Sequence, residues 1–217
     1  MKQLVACVGI GLLVVAIDGV TAADTDVALP TAAPKACGFE RIRVRSGNRT
    51  RCISVWQYLS RRPVRVPSLA PGARCPTTPP SGDISTLAPG YVGTAFGRGP
   101  VYPRLPGNSQ RAEIFFRYPP PRDSLDYGSQ WSGQKVMWIL AGGFRRPALV
   151  RGRQLDGPND LRFERGLVPV RERRLRGSGG ASHPSHTRLR APGCYAYQID
   201  GLRFSYRIVF EAKLFAS

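Results

Sequence analysis

The chain is predicted to fold as an all-β protein: an immunoglobulin-like β-sandwich carrying a Pro-rich, disulfide-tied N-terminal segment. Three observations point there. The second half holds short runs rich in apolar and aromatic residues, separated by Gly, Pro and Asp turn residues, which is how strands read. No window sustains a helical period, and heavy use of Pro and Gly breaks up helices. Residues 194–211, CYAYQIDGLRFSYRIVFE, alternate on both sides of an Asp-Gly pair. Strands joined by short turns favour a sandwich.

From the N-terminus, Met1-Lys2-Gln3 is followed by an apolar run from Leu4 to Ile17 and small residues around Ala22. This is the layout of a cleavable secretory signal peptide over residues 1–22. The run is shorter than the roughly 20 residues a bilayer-spanning helix needs, and no other segment is longer, so no transmembrane span is expected after cleavage. Leu4-Val5-Ala6-Cys7 resembles a lipoprotein box, but the apolar run follows the cysteine, the wrong order for lipidation. The chain is therefore expected outside the cytoplasm, secreted or in the cell envelope. Residues 23–36 form a flexible lead-in, 37–87 a basic hairpin and Pro-rich wrap, and 88–217 the β-sandwich domain.

Beyond the leader the cysteines are Cys37, Cys52, Cys75 and Cys194, an even number in an exported chain, which implies two disulfides with three conceivable pairings. No C-x-x-C pair or helix with paired histidines supports a metal site. Arg41, Arg43 and Arg45 share one parity opposite Ile42 and Val44. Ser46-Gly47-Asn48 is a turn signal, and Arg51 to Val55 is extended again: a hairpin with one basic face. Asn48-Arg49-Thr50 matches a glycosylation acceptor and is read as turn chemistry. Val55 to Ser60 is expected as a helical turn. The many prolines between 63 and 108 exclude a long helix or central strand, leaving an irregular segment draped over a sheet.

Strands are expected at 112–118, 135–140, 148–153 and 161–164, with 177–186 (GSGGASHPSH) as a mobile loop. In the final hairpin, Asp200-Gly201 predicts a two-residue type I′ turn, so that Ile199 faces Leu202, Tyr197 faces Phe204 and Tyr195 faces Tyr206. Tyr195, Tyr197, Ile199, Leu202, Phe204, Tyr206, Ile208 and Phe210 then share the core face. Cys194 lies on the opposite face, so its partner must come over the outside. The Pro-rich segment carrying Cys75 is the natural source, leaving Cys37 with Cys52. In a plain hairpin residue 52 faces about 43, so that second bond requires a bend near Gly38.

The stretch RLRAPGCYAYQIDGLRFSYRIVFEA resembles the ending of a group of exported bacterial proteins with no assigned activity. VPSLAPGARCP, GRGPVYP, SGQKVMWIL and ALVRGRQLDGPNDLRF are similar to the same group, in order over roughly residues 60–212. The resemblance implies a sandwich-like fold with one cysteine early and one late in the domain, and no activity. That group carries a tyrosine where this chain has His186, which argues against a catalytic role for it.

The net charge is +18, almost all of it arginine. Arginine grips phosphates and carboxylates in bidentate fashion, although arginines scattered along the whole chain also suit a GC-rich genome. Two clusters stand out as anion-binding candidates: Arg41, Arg43 and Arg45, and Arg171, Arg173 and Arg174 with Arg176 beside them. Anionic polymers or an envelope surface are the expected partners. No stacking platform or recognition helix supports sequence-specific nucleic-acid reading. No catalytic residue, metal ligand or cofactor is assigned. A hydrolase is the alternative, and it would have to draw on His183, His186, Asp123, Asp126 or Asp200. A structural accessory domain of a larger surface assembly is the third option. G-x-S-x-G elbows and spaced carboxylate pairs are absent from the sequence.

Overall fold

The computed structural model describes residues 32–70, 72–106, 110–177 and 181–215. The expected leader and residues 23–31 of the lead-in lie outside the described residues. Among those described, no helix is long and apolar enough to cross a membrane.

The N-terminal sheet follows from its turns. β1 (Ala36–Gly38), β2 (Arg41–Ser46) and β3 (Arg49–Ser54) pair in that order, all antiparallel. Gly47, with φ of 58°, supplies the left-handed turn between β2 and β3. Arg43 faces Cys52, as a plain hairpin requires. The chain reaches Cys37 by doubling back: register shifts between Ala36 and Gly38, and Glu40 takes a positive φ of 49°. Cys37 thereby bonds to Cys52. α1 (Val55–Ser60) follows, capped by the Ser54 hydroxyl, which accepts from the Trp56 amide at 3.3 Å.

Residues 61–70 and 72–79 have no regular structure. Beyond them lie β4 (Pro80–Asp83), the short helix α2 (Ile84–Leu87), β5 (Thr94–Phe96) and β6 (Val101–Arg104). β6 contains Pro103 and is an edge strand, where a missing amide is tolerated. The rest of the chain gives β7 (Glu113–Phe116), β8 (Ser132–Leu140), β9 (Ala148–Gln154), β10 (Arg162–Phe163), β11 (Arg173–Leu175), β12 (Ser182–Leu189), β13 (Gly193–Gly201) and β14 (Ser205–Leu214).

These strands sort into a four-stranded sheet, β10-β12-β8-β6, and a five-stranded sheet, β11-β9-β13-β14-β7, with β4 and β5 paired separately. From β6 to β13 successive strands alternate between the two larger sheets, and only β13–β14 is a hairpin within one of them. Inward residues of both sheets fill one apolar core that includes Val101, Trp138 and Phe163 on one side and Ile114, Tyr197 and Phe210 on the other. Trp138 meets Tyr197 edge to face at 5.0 Å between ring centroids. Buried hydroxyls are satisfied across the core: Tyr197 shares a 2.7 Å hydrogen bond with Thr187, and Tyr206 donates to the Val101 carbonyl. Burial pushes the pKa of both phenols up.

Two expectations are corrected. Residues 182–186 of the expected mobile loop belong to β12, an interior strand of the four-stranded sheet paired with β8 along its whole length. Pairing on both sides satisfies its backbone, so a polar strand holds where local composition suggests a loop. The Asp200-Gly201 turn is also displaced. Ile199 faces Tyr206, Tyr197 faces Ile208 and Tyr195 faces Phe210, so the bend spans Gly201 to Phe204, closed by Gly201 N donating to Phe204 O at 2.9 Å. The cause is the Asp200 carboxylate, which is fully buried and cannot sit at a turn tip. It accepts from Arg151 at 2.7 Å and from Ser205 Oγ at 2.7 Å. The register moves by an even number of residues, so the core face of each strand is unchanged. Leu202 alone leaves that face and joins Ile42, Val55, Trp56, Leu59 and Leu149 outside the sheet.

Cys194 points outward and bonds to Cys75. Val66 and Leu69 pack beside this bridge on Leu155, Ala196 and Val209. Backbone links hold the wrap down: Thr78 N donates to Val209 O at 2.9 Å, and Gln198 Nε2 to Pro63 O at 3.0 Å.

Candidate functional site

The outer face of the four-stranded sheet carries a different chemistry. On β12, alternation turns Thr187 and Leu189 into the core and sends His186 and Arg188 outward. Arg162 on β10 is the register partner of Arg188, so the two guanidiniums leave the same face side by side. Arg188 is fully buried by the loops crossing above it. It pairs with Asp126 at 2.9 Å and donates to the carbonyls of Glu164 (3.0 Å), Gly166 (3.2 Å) and Trp131. One guanidinium thus ties the loop entering β8 to the loop leaving β10. Burial pulls its pKa down, and the charge of Asp126 opposes that.

The clamp sets Trp131 in position. The Arg190 guanidinium lies 4.3 Å and that of Arg162 5.4 Å from the Trp131 ring, both within cation–π range. Arg190 is also held by Gln130 Oε1. Arg162 has its pKa lowered by burial, then by repulsion from Arg171 and Arg190; Asp160, at 3.5 Å, only partly offsets this. Among the described residues, Trp131 Nε1 and Arg162 Nε are buried donors with no acceptor. Two guanidiniums against one indole, with the charge of Arg171 acting on one of them and one half-exposed carboxylate opposing, make a site that a negative charge would relieve.

The sequence-nominated arginines divide. Arg41, Arg43 and Arg45 stand exposed on β2. Arg41 donates to Cys52 O at 2.8 Å and Arg45 to Gly47 O at 3.2 Å, and no carboxylate among the described residues pairs with any of the three. The second cluster is largely neutralised at home. Arg173 pairs with Glu164, Arg174 pairs with Glu172 at 2.8 Å and lies over Trp56, and Arg176 pairs with Glu40 at 2.8 Å. Arg171 alone bears on the Trp131 group, through its charge on Arg162. The cluster itself was not visible in the sequence, since Trp131, Arg162 and Arg190 come from three separate segments; only register in the folded sheet brings them together.

The residues a hydrolase would need are scattered. Asp200 lies beneath α1, on the outer side of the other sheet, and Asp123 is exposed in a loop. His183 and His186 sit on β12, half-buried, and burial lowers the pKa of both, with Arg173 adding to the effect on His183. For His186 the charge of Asp126 opposes the lowering and that of Arg165 adds to it. Arg165 Nε donates to His186 Nδ1 at 3.4 Å, which requires that nitrogen unprotonated. Asp126, the nearest carboxylate of the set, is committed to Arg188, and Ser185, the neighbouring hydroxyl, bonds the His186 carbonyl instead of its ring. Among the described residues no group of three or more His, Cys, Asp or Glu is placed to hold a metal ion.

An open depression of about 420 Å³ beside the Cys75 bridge is lined by Arg74, Cys75, Pro76, Thr77 and Arg111. Its Arg111 is drawn toward Glu113 (3.4 Å) and Glu211 (3.7 Å), which also hold Lys213. This makes it a weaker attractor for anions than the Trp131 group. Comparison with known proteins finds no matching family model, no matching curated protein and no matching solved structure.

Proposed function

We propose that this chain is an exported, non-catalytic module that binds anionic surface material, such as acidic glycan or envelope polymer, through arginine-rich faces. The two facing sheets are read as an immunoglobulin-like sandwich whose wiring is its own, and the Pro-rich segment as its stapled cover. Two disulfides fit folding in an oxidising compartment. The observation that carries the binding reading is the placing of the Arg162 and Arg190 guanidiniums against the Trp131 ring, with Arg171 and Arg190 both acting on Arg162 by charge. The exposed stripe Arg41, Arg43 and Arg45 is a second, weaker contact. Guanidiniums not neutralised by the protein's own carboxylates attract polyanions at long range, and salt screens that attraction.

The probe is dextran sulfate. Binding should weaken about tenfold between low and physiological salt, and R171E/R190E should lower it about tenfold at low salt. R174A, which removes an arginine already paired with Glu172, should bind like the parent. Absent or salt-insensitive binding overturns the reading.

A further inference from the structure

Beside the Trp131 group the surface turns apolar. Ten large hydrophobic side chains are exposed among the described residues, and five of them, Leu125, Tyr127, Leu167, Val168 and Val170, belong to the two loops that Arg188 clamps. The loops touch: Ser129 Oγ donates to Leu167 O at 2.8 Å, and the backbone at Gly128 abuts the Leu167 side chain. Val168 is 81% exposed and Leu125 70%. Exposed apolar side chains gathered at one place mark a contact surface. Arg122, Arg165 and Arg171 are exposed around them, and Arg190 and half-buried Trp131 complete the border. Aliphatic tips between arginines, with Tyr127 and Trp131 as amphipathic rings, match the layering of a bilayer surface. The acyl boundary takes the tips, and anionic headgroups take the guanidiniums.

We infer that the loops 122–131 and 164–171 dock the protein on an anionic lipid bilayer, inserting Leu125, Leu167 and Val168 shallowly while Arg122, Arg165, Arg171 and Arg190 hold headgroup phosphates. This rests on the anion-binding reading and names its partner. A soluble polyanion engages only the arginines; a bilayer engages both, and that difference separates the two claims. Arg188 is a positioning residue, since it presents both loops without facing the lipid.

The experiment is co-sedimentation of the full exported chain with phosphatidylcholine vesicles and with phosphatidylcholine–phosphatidylglycerol vesicles, run beside dextran sulfate binding. The protein should sediment with the anionic vesicles and stay in solution with the neutral ones. L167S/V168S should lose about tenfold on anionic vesicles yet keep its dextran sulfate affinity, because only the apolar contribution is removed and no charge is added. L125S, in the other loop, should shift binding the same way, so a folding defect in one variant cannot decide the result. Dextran sulfate binding without vesicle binding overturns the bilayer docking and leaves the wider reading standing. Vesicle binding without dextran sulfate binding does the reverse. Unchanged vesicle binding by L167S/V168S, or self-association through these residues with no vesicle binding, overturns the docking.

Discussion

The two large sheets have outer faces of opposite character, although each is covered by chain. Over the five-stranded sheet the cover is apolar and fastened. α1 lays Val55, Trp56 and Leu59 on Leu149 and Leu202, the wrap sets Val66 and Leu69 on Ala196 and Val209, and the Cys75–Cys194 bond holds it there. Over the four-stranded sheet only the end near β6 is treated so, where Ile84, Ala88 and Ala95 cover Tyr102 and Ile139. The other end is roofed by loops held through Arg188 and rimmed with arginines. The protein spends its N-terminal apolar residues on one face and leaves charge on the other. Stability should therefore be concentrated on the first face and binding on the second.

The largest effect expected on the fastened face comes from C75S/C194S. The bond closes a separation of 119 residues, and loop-closure entropy puts its contribution at about 5 kcal/mol. Chemical denaturation should show a loss of that order, with dextran sulfate affinity of the folded fraction unchanged. If binding falls with stability, the division between the faces fails.

Next comes D200N. The Asp200 carboxylate is fully buried between Arg151 at 2.7 Å and Arg62 at 3.9 Å, and these arginines reach the carbonyls at the end of α1 and the bend after β13. Removing the charge strands Arg151 under the helix, at a cost of about 3 kcal/mol. Hydrogen exchange should show α1 losing protection before the core strands do. Uniform loss across the molecule would mean the helix is not separately anchored.

The smallest effect sharpens the comparison from the four-stranded sheet. His183 and His186 both titrate below the ordinary value of 6.5 because burial disfavours their charged forms. Above that value both folded and unfolded chains are neutral at these positions. Below it the unfolded chain takes up protons first, so stability declines as pH falls from about 6.5 toward the lowered folded values. Thermal unfolding across this window should show the decline, and H183Q/H186Q should flatten it. A parent protein with no slope there would mean the imidazoles protonate freely in place.

Strand positions in the second half were legible in the sequence because β7, β8 and β9 carry apolar residues in short runs bounded by turn residues. β12 was not. Its inward positions include Ser185 and Thr187, the latter bonded to Tyr197 across the gap, and it opens with Ser182 and contains Pro184. The outward face of Cys194 was readable from parity, and parity survives a register change of even size. The register itself was not readable, because local turn preference says nothing of the buried partners awaiting Asp200. The arginines of β2 could be nominated from spacing alone. Those at 173, 174 and 176 looked equivalent in sequence, and only folding supplied Glu164, Glu172 and Glu40 to neutralise them.

Because the backbone shuttles from one layer to the other at almost every step from β6 to β13, neither layer consists of neighbours in sequence. A fragment cut anywhere in that span would leave both halves missing strands, so proteolytic pieces have no independent fold to fall back on. Among the described residues the last hairpin is the only local pair in the core and the natural place for assembly to begin. Most of the structure can therefore form only once the strands from β6 to β14 are all present together.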